Sequence, residues 1–239
     1  MEKITKNDEK IVFKHKASET LANSIRRYLN QVPVLAVDEI EITKNDSALY
    51  DETLAHRIGL IPLKSENLKK NPEEEITLEA KGEKKVYSGD FEGKVKIVYE
   101  NMLLTQLLKN QGLKLKAFVR AGKGTEHSKF SPGLMFYRKI SEISLDKNLL
   151  EEVEQILPDK ELSEKGNKII IKDDGEKEIA DVCEGIASKR KKEVSIKFED
   201  ELVITVESFG QMSPENMVKK SIEVLKKDLE SVSKGIEKL

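Results

Sequence analysis

Four groups of residues carry side chains that chemistry could use. Asp51, Glu52, His56 and Arg57 stand together in DETLAHRIGLIPL against Leu54, Ile58, Leu60 and Ile61, a grouping that periodicity alone does not explain. The same spacing also describes a short surface helix ended by Gly59 and Pro62. AGKGTEHSKFSPG, Ala121 to Gly133, offers Gly122, Lys123 and Gly124 as a phosphate cradle with His127 and Lys129 beside it. A P-loop, however, needs wider fixed spacing, a Ser or Thr after the lysine, and a following helix. Here Ser131-Pro132-Gly133 breaks the chain instead.

Two acidic clusters, Asp173-Asp174 before Gly175 and Glu199-Asp200-Glu201, sit where turns are expected, and they read as turn chemistry rather than a magnesium site. Cys183 is the single cysteine, so an internal disulfide is impossible. With three histidines at scattered positions, no zinc-ligand spacing arises.

The elements that position these groups follow from periodicity. Lys10 to Phe13 is a short apolar strand. Leu21, Ala22, Ile25, Tyr28 and Leu29 recur at helical spacing behind Ser18 as N-cap, and Arg26 and Arg27 leave that face. Pro33 ends the helix, a strand runs from Val34 to Ile42, and Asn45-Asp46-Ser47 turns the chain. Asn71 to Glu100 reads as hairpins around Ile76, Val86 and Val95 to Tyr99. Met102, Leu103, Leu104, Leu107 and Leu108 predict a short helix over Asn101 to Asn110, and Leu113 to Val119 a strand. Leu149 to Leu157 and Ile179 to Ile186 carry helical stripes around a strand at Lys168 to Lys172, before the basic run Lys189 to Lys192. Val194 to Val206 reads as two strands joined at Glu199-Asp200-Glu201.

The last helix is the most regular. Ser213 and Pro214 open it as N-cap and first helical residue. Val218, Ile222, Leu225, Leu229, Val232, Ile236 and Leu239 then follow at alternating steps of four and three, a heptad seam. Leaving it wet would forfeit about 10 kcal/mol or more, at roughly 1.5–3 kcal/mol per side chain. It packs either on its own sheet or on another chain.

Composition excludes some classes. The 239 residues hold 42 Lys and Arg against 44 Asp and Glu, a net charge of −2, which argues against a protein whose main work is gripping phosphates. MEKITKNDEK lacks an apolar leader core, and no run reaches a membrane span, so a soluble, cytoplasmic protein is expected.

ANSIRRYLNQVPVLAVDEIEI, followed by DETLAHRIGLIPL, resembles the signature of the alpha-like subunits of cellular RNA polymerases: the D-type subunits of the archaeal enzymes, their eukaryotic third-subunit counterparts and, more distantly, bacterial alpha. The loop from Gly122 to Pro132 is similar to the family's "G.G.EH.K..P" segment, and VESFGQMSPENMVKKSIEVL to its closing segment.

The resemblance implies an α+β chain with a discontinuous dimerisation domain, a sheet plus two helices, formed by residues 1–42 and 194–239. An inserted, mainly β second domain would span 43–145, and a small α/β, reduced ferredoxin-like insert 146–193. Many archaeal relatives hold an iron–sulfur cluster in that insert on several cysteines. Cys183 stands alone here, so no cluster and no other cofactor is expected. Leu21, Ile25, Tyr28, Leu29, Val218, Ile222, Leu225, Leu229, Val232 and Ile236 would pair with the smaller alpha-like subunit L. Arg26 and Arg27 would meet a neighbouring large subunit, Asp51, Glu52, His56 and Arg57 would hold the junction to the second domain or to partners, and His127 and Lys129 would serve as interface or loop-structuring residues, with the second-largest subunit and the small subunits N and P among the partners. The chain would be a non-catalytic assembly subunit of a nucleotidyltransferase complex, meeting DNA only through that complex. A stand-alone DNA-binding or protein-interaction module is the alternative.

Overall fold

In the computed structural model, residues 2–66, 74–158 and 161–237 are described; Leu239 of the expected seam lies outside them. The chain opens with a hairpin, β1 (Glu2–Lys6) and β2 (Lys10–His15), whose turn is held by Asn7 Oδ1 accepting from the backbone N–H of Glu9 and Lys10. The helix α1 (Glu19–Tyr28) is capped at Ser18, whose Oγ accepts from Leu21 N–H at 3.2 Å. A 3-10 turn, Leu29–Gln31, leads to β3 (Val34–Asn45) and α2 (Asp51–Gly59). Between them Asn45 Oδ1 accepts from Ser47 N–H at 3.0 Å, the expected turn. Then come β4 (Glu74–Lys81), β5 (Lys84–Tyr87), β6 (Glu92–Gly93), β7 (Leu103–Leu107), β8 (Gly112–Gly122) and β9 (Gly133–Asp146). The remainder is α3 (Leu150–Ile156), β10 (Leu162–Lys165), β11 (Lys168–Asp173), α4 (Ala180–Lys189), β12 (Ser195–Ser208) and α5 (Pro214–Ile236).

These elements form two compact units, residues 1–23 with 135–206 and residues 24–134 with 207–239. The first holds a six-stranded sheet in the order β1-β2-β12-β9-β11-β10. Ile143 and Leu145 of β9 and Ile169 and Ile171 of β11 share one core with Val153 of α3 and Cys183 and Ile186 of α4. Burying that thiol raises its pKa from 9.0 to about 11.

The second unit holds a four-stranded sheet, β3-β8-β4-β6, and a separate pair, β5-β7. Along β4 and β8 alternate residues point inward: Ile76, Leu78 and Ala80, and Leu113, Leu115, Ala117 and Val119. They form a core with Leu54 and Ile58 of α2 and with Val86, Leu104 and Leu107 of the strand pair.

Several expectations are corrected. Asn101 to Asn110 holds β7, not a helix, because β5 supplies a hydrogen-bonding partner in the register Val86 to Thr105 and Lys84 to Leu107. Val95 to Tyr99 forms no strand beyond one isolated bridge, Leu63 to Ile97. Neighbouring β4 and β5 enter different sheets rather than one hairpin. The expected pair of strands over Val194 to Val206 is one continuous strand, Ser195–Ser208, with Glu199 facing Lys172 at 3.5 Å instead of turning.

The expected insert 146–193 is not a body of its own. Its strand β11 is hydrogen-bonded along β9 from Lys168–Asp146 to Asp173–Ser141, so it extends the first unit's sheet. The expected borders at 42/43 and 193/194 therefore differ from those of the two compact units.

Candidate subunit interface

α5 begins as a core helix and ends as something else. Ser213 accepts from Asn216 N–H, and Pro214 occupies the first turn. Pro214, Met217 and Ser221 are buried, but from Ile222 to Glu237 no residue is. The seam crosses that boundary. Val218 and Leu225 are half-buried, Ile222 is exposed, and Leu229, Val232 and Ile236 are 62%, 61% and 64% exposed. An internal core helix would bury these residues, so this unit does not supply their cover.

The end of α1 is held to the same helix. Leu29, in the 3-10 turn that packs on α5, is 2% exposed, and the Tyr28 hydroxyl donates to the Asp228 carboxylate, which raises the tyrosine pKa. Leu29 is thus spent on its own unit and drops out of the expected interface. Ile25 and Tyr28 stay half-buried and Leu21, one helical turn earlier, is exposed. Arg26 and Arg27 are exposed.

The Gly122 to Ser131 loop is organised by residues that sequence reasoning passed over. Asp38 accepts from Arg120 Nε at 2.6 Å and Lys129 Nζ at 2.7 Å, which hold its carboxyl below the usual carboxylate range. Arg120 also meets Glu126 at 3.0 Å, and both cations lie over the buried Phe130 ring, at 4.7 and 5.1 Å from its centroid. His127 Nδ1 accepts from Lys129 N–H, and Ser131 Oγ donates to Asn30 Oδ1 at 3.0 Å. At Gly124 a Cβ would come within 3.0 Å of that same Asn30 oxygen. Lys129 and His127 therefore shape the loop, and Lys129, whose side chain is 15% exposed, has no free charge to offer a partner. The signal was present in the alternation of β8, which sends Arg120 to the side where Asp38 leaves β3.

On α2, Asp51 is bound at home, accepting from Asn45 Nδ2 at 2.7 Å, while Glu52, His56 and Arg57 are exposed. The acidic clusters are structural. Asp173, 1% exposed, accepts from Arg138 Nη2 at 2.9 Å and Ile179 N–H at 3.2 Å, and Asp174 meets Lys14 at 2.7 Å. In the basic run, Arg190 is paired with Glu152, and Lys192 with Asp146 at 2.8 Å. The residues do not fit an iron–sulfur cluster, since the one thiol is enclosed in the first unit's core.

In the second unit the loop's charged groups are engaged in holding it, and α5 carries an open apolar stripe, an arrangement suited to binding another chain. Residues 40–135 match the RNA polymerase Rpb3/RpoA insert domain family. The chain is 32% identical over 222 residues to the DNA-directed RNA polymerase subunit Rpo3 of Thermococcus kodakarensis, covering 85% of this chain and 84% of that one. With its counterpart in Archaeoglobus fulgidus it shares 30% over 261 residues, covering 100% and 98%. The chain belongs to the archaeal Rpo3 family of alpha-like RNA polymerase subunits. As such it is a non-catalytic part of a nucleotidyltransferase complex.

Proposed function

We propose that this chain is the platform on which the polymerase assembles: it pairs first with the smaller alpha-like subunit L, and the pair then receives the second-largest subunit and the small subunits N and P. The observation that carries this reading is the open stripe of Leu229, Val232 and Ile236 on α5. L would cover that stripe together with Ile222, Leu225 and the α1 face of Leu21, Ile25 and Tyr28. Arg26, Arg27, Glu52, His56 and Arg57, exposed around these elements, are the groups offered to the larger subunits. A stand-alone DNA-binding module gains no support, because Arg190 and Lys192 of the basic run are already paired with carboxylates.

The chain needs no cluster in this role, and its lone thiol gives it no means to hold one. Among the described residues no helix is long and apolar enough to cross a membrane, and we place the work in the cytoplasm. Co-expression with L followed by a solution mass tests the proposal. A one-to-one complex is expected; two separate monomers would refute it.

A further inference from the structure

The outward face of the four-stranded sheet presents an aromatic ring where a solvated sheet ordinarily carries polar groups. On β8 the outward residues are Lys114, Lys116, Phe118 and Arg120, and Phe118 is 39% exposed. Its cross-strand neighbours are Glu39 on β3 and Glu75 on β4. Around it lies a hollow of about 470 Å³ bounded by Asp38, Glu39, Glu74, Glu75 and Arg120.

The charges there are not balanced. Arg120 is engaged by Asp38 and Glu126, and Asp38 has Lys129 as a second partner. Among the described residues, Glu39, Glu74 and Glu75 make no ion pair. A metal ion does not suit them, since among the described residues no three acidic, histidine or cysteine groups converge well enough to hold one. What complements a ring face edged by carboxylates is a flat cation. A guanidinium lies on the aromatic face and donates two parallel hydrogen bonds to a carboxylate at its rim.

We propose that this face is a docking site for an arginine-bearing segment of another protein chain, with one guanidinium stacked on Phe118 between Glu39 and Glu75. The patch has a definite end, because the next outward residue along β8, Lys116, repels a basic segment, and so the arginine is held in one register. None of the α1 and α5 residues proposed for pairing with L takes part, so the two surfaces succeed or fail separately.

The test is a titration of the full-length chain, labelled for amide NMR, with the capped peptide Gly-Arg-Gly-Arg-Gly and with its citrulline counterpart. The expected result is shifts confined to β3, β8 and β4, lost with citrulline. Phe118→Ser should weaken binding about 3- to 30-fold, by the usual strength of a cation over a ring, and Phe118→Tyr should retain it. Glu39→Gln with Glu75→Gln should weaken it at least about tenfold, and Lys116→Ser should not weaken it. Retained dispersion of the amide spectrum verifies that each variant is folded. Equal binding by Phe118→Ser and the parent, or equal binding of the citrulline peptide, would overturn the proposal, because attraction would then be diffuse.

Discussion

Truncating the open stripe to alanine, Leu229→Ala with Val232→Ala and Ile236→Ala, separates an interface helix from a core helix. The three side chains are about three-fifths exposed in the chain alone. Covering that exposed part of each with a partner gains about 1–2 kcal/mol, from roughly 1.5–3 kcal/mol for complete burial. The triple variant should therefore bind subunit L about 3–5 kcal/mol more weakly, a loss of roughly 10² to 10⁴ in affinity. The free chain should lose little, since exposed substitutions cost within about 0.5 kcal/mol each and alanine favours the helix over valine and isoleucine. Isothermal titration with L gives the first quantity, and urea unfolding of the lone chain the second. If the lone chain lost several kcal/mol while affinity for L held, the stripe would be internal packing and the reasoning wrong.

Three further outcomes are expected. Arg138→Ala leaves the Asp173 carboxylate buried without its cation and should cost about 3–5 kcal/mol in urea unfolding; a loss under about 1 kcal/mol would mean that the turn after β11 is held by its backbone alone. Asp38 has a folded pKa below its ordinary 3.8, set first by Arg120 and then by Lys129. Its stabilisation is therefore present above 3.8 and lost as pH falls through the lower folded value. The stability gap between the parent and Asp38→Asn should be widest at neutral pH and close in acid, and a gap indifferent to pH would contradict this assignment. Cys183, pushed up to about 11 by burial, should resist a thiol reagent at pH 8 in the native chain and react once urea unfolds it; immediate native reaction would show that the core around α4 is open.

Local chemistry was legible wherever a cap or a turn residue marks an element. Ser18, Ser213 with Pro214, and Asn45 each do what their type suggests, and the α5 seam could be read residue by residue. Non-local pairing was not legible. Leu103 to Leu107 has helical and extended readings of equal merit until β5 lies beside it, and Glu199-Asp200-Glu201 resembles a turn until Lys172 on β11 faces Glu199. The insert looked separate because its helices and strands alternate like a small domain, whereas the β9 to β11 ladder fuses it to the sheet. At the interface, periodicity marked which side of α5 is apolar but not where on that helix burial stops, and that depends on the elements packed against Pro214 and Met217. Periodicity marks Leu29 as apolar without showing that it packs inside its own unit, and it leaves the interface and loop-holding readings of Lys129 open, because their partners, α5 and Asp38, are remote in sequence.

Backbone hydrogen exchange along α5, measured on the free chain and again with subunit L bound, tests the central claim most directly. Slowed exchange from Leu225 to Ile236 only in the presence of L is the predicted result. The contradictory result is a segment equally protected in the free chain, or one that L leaves unchanged.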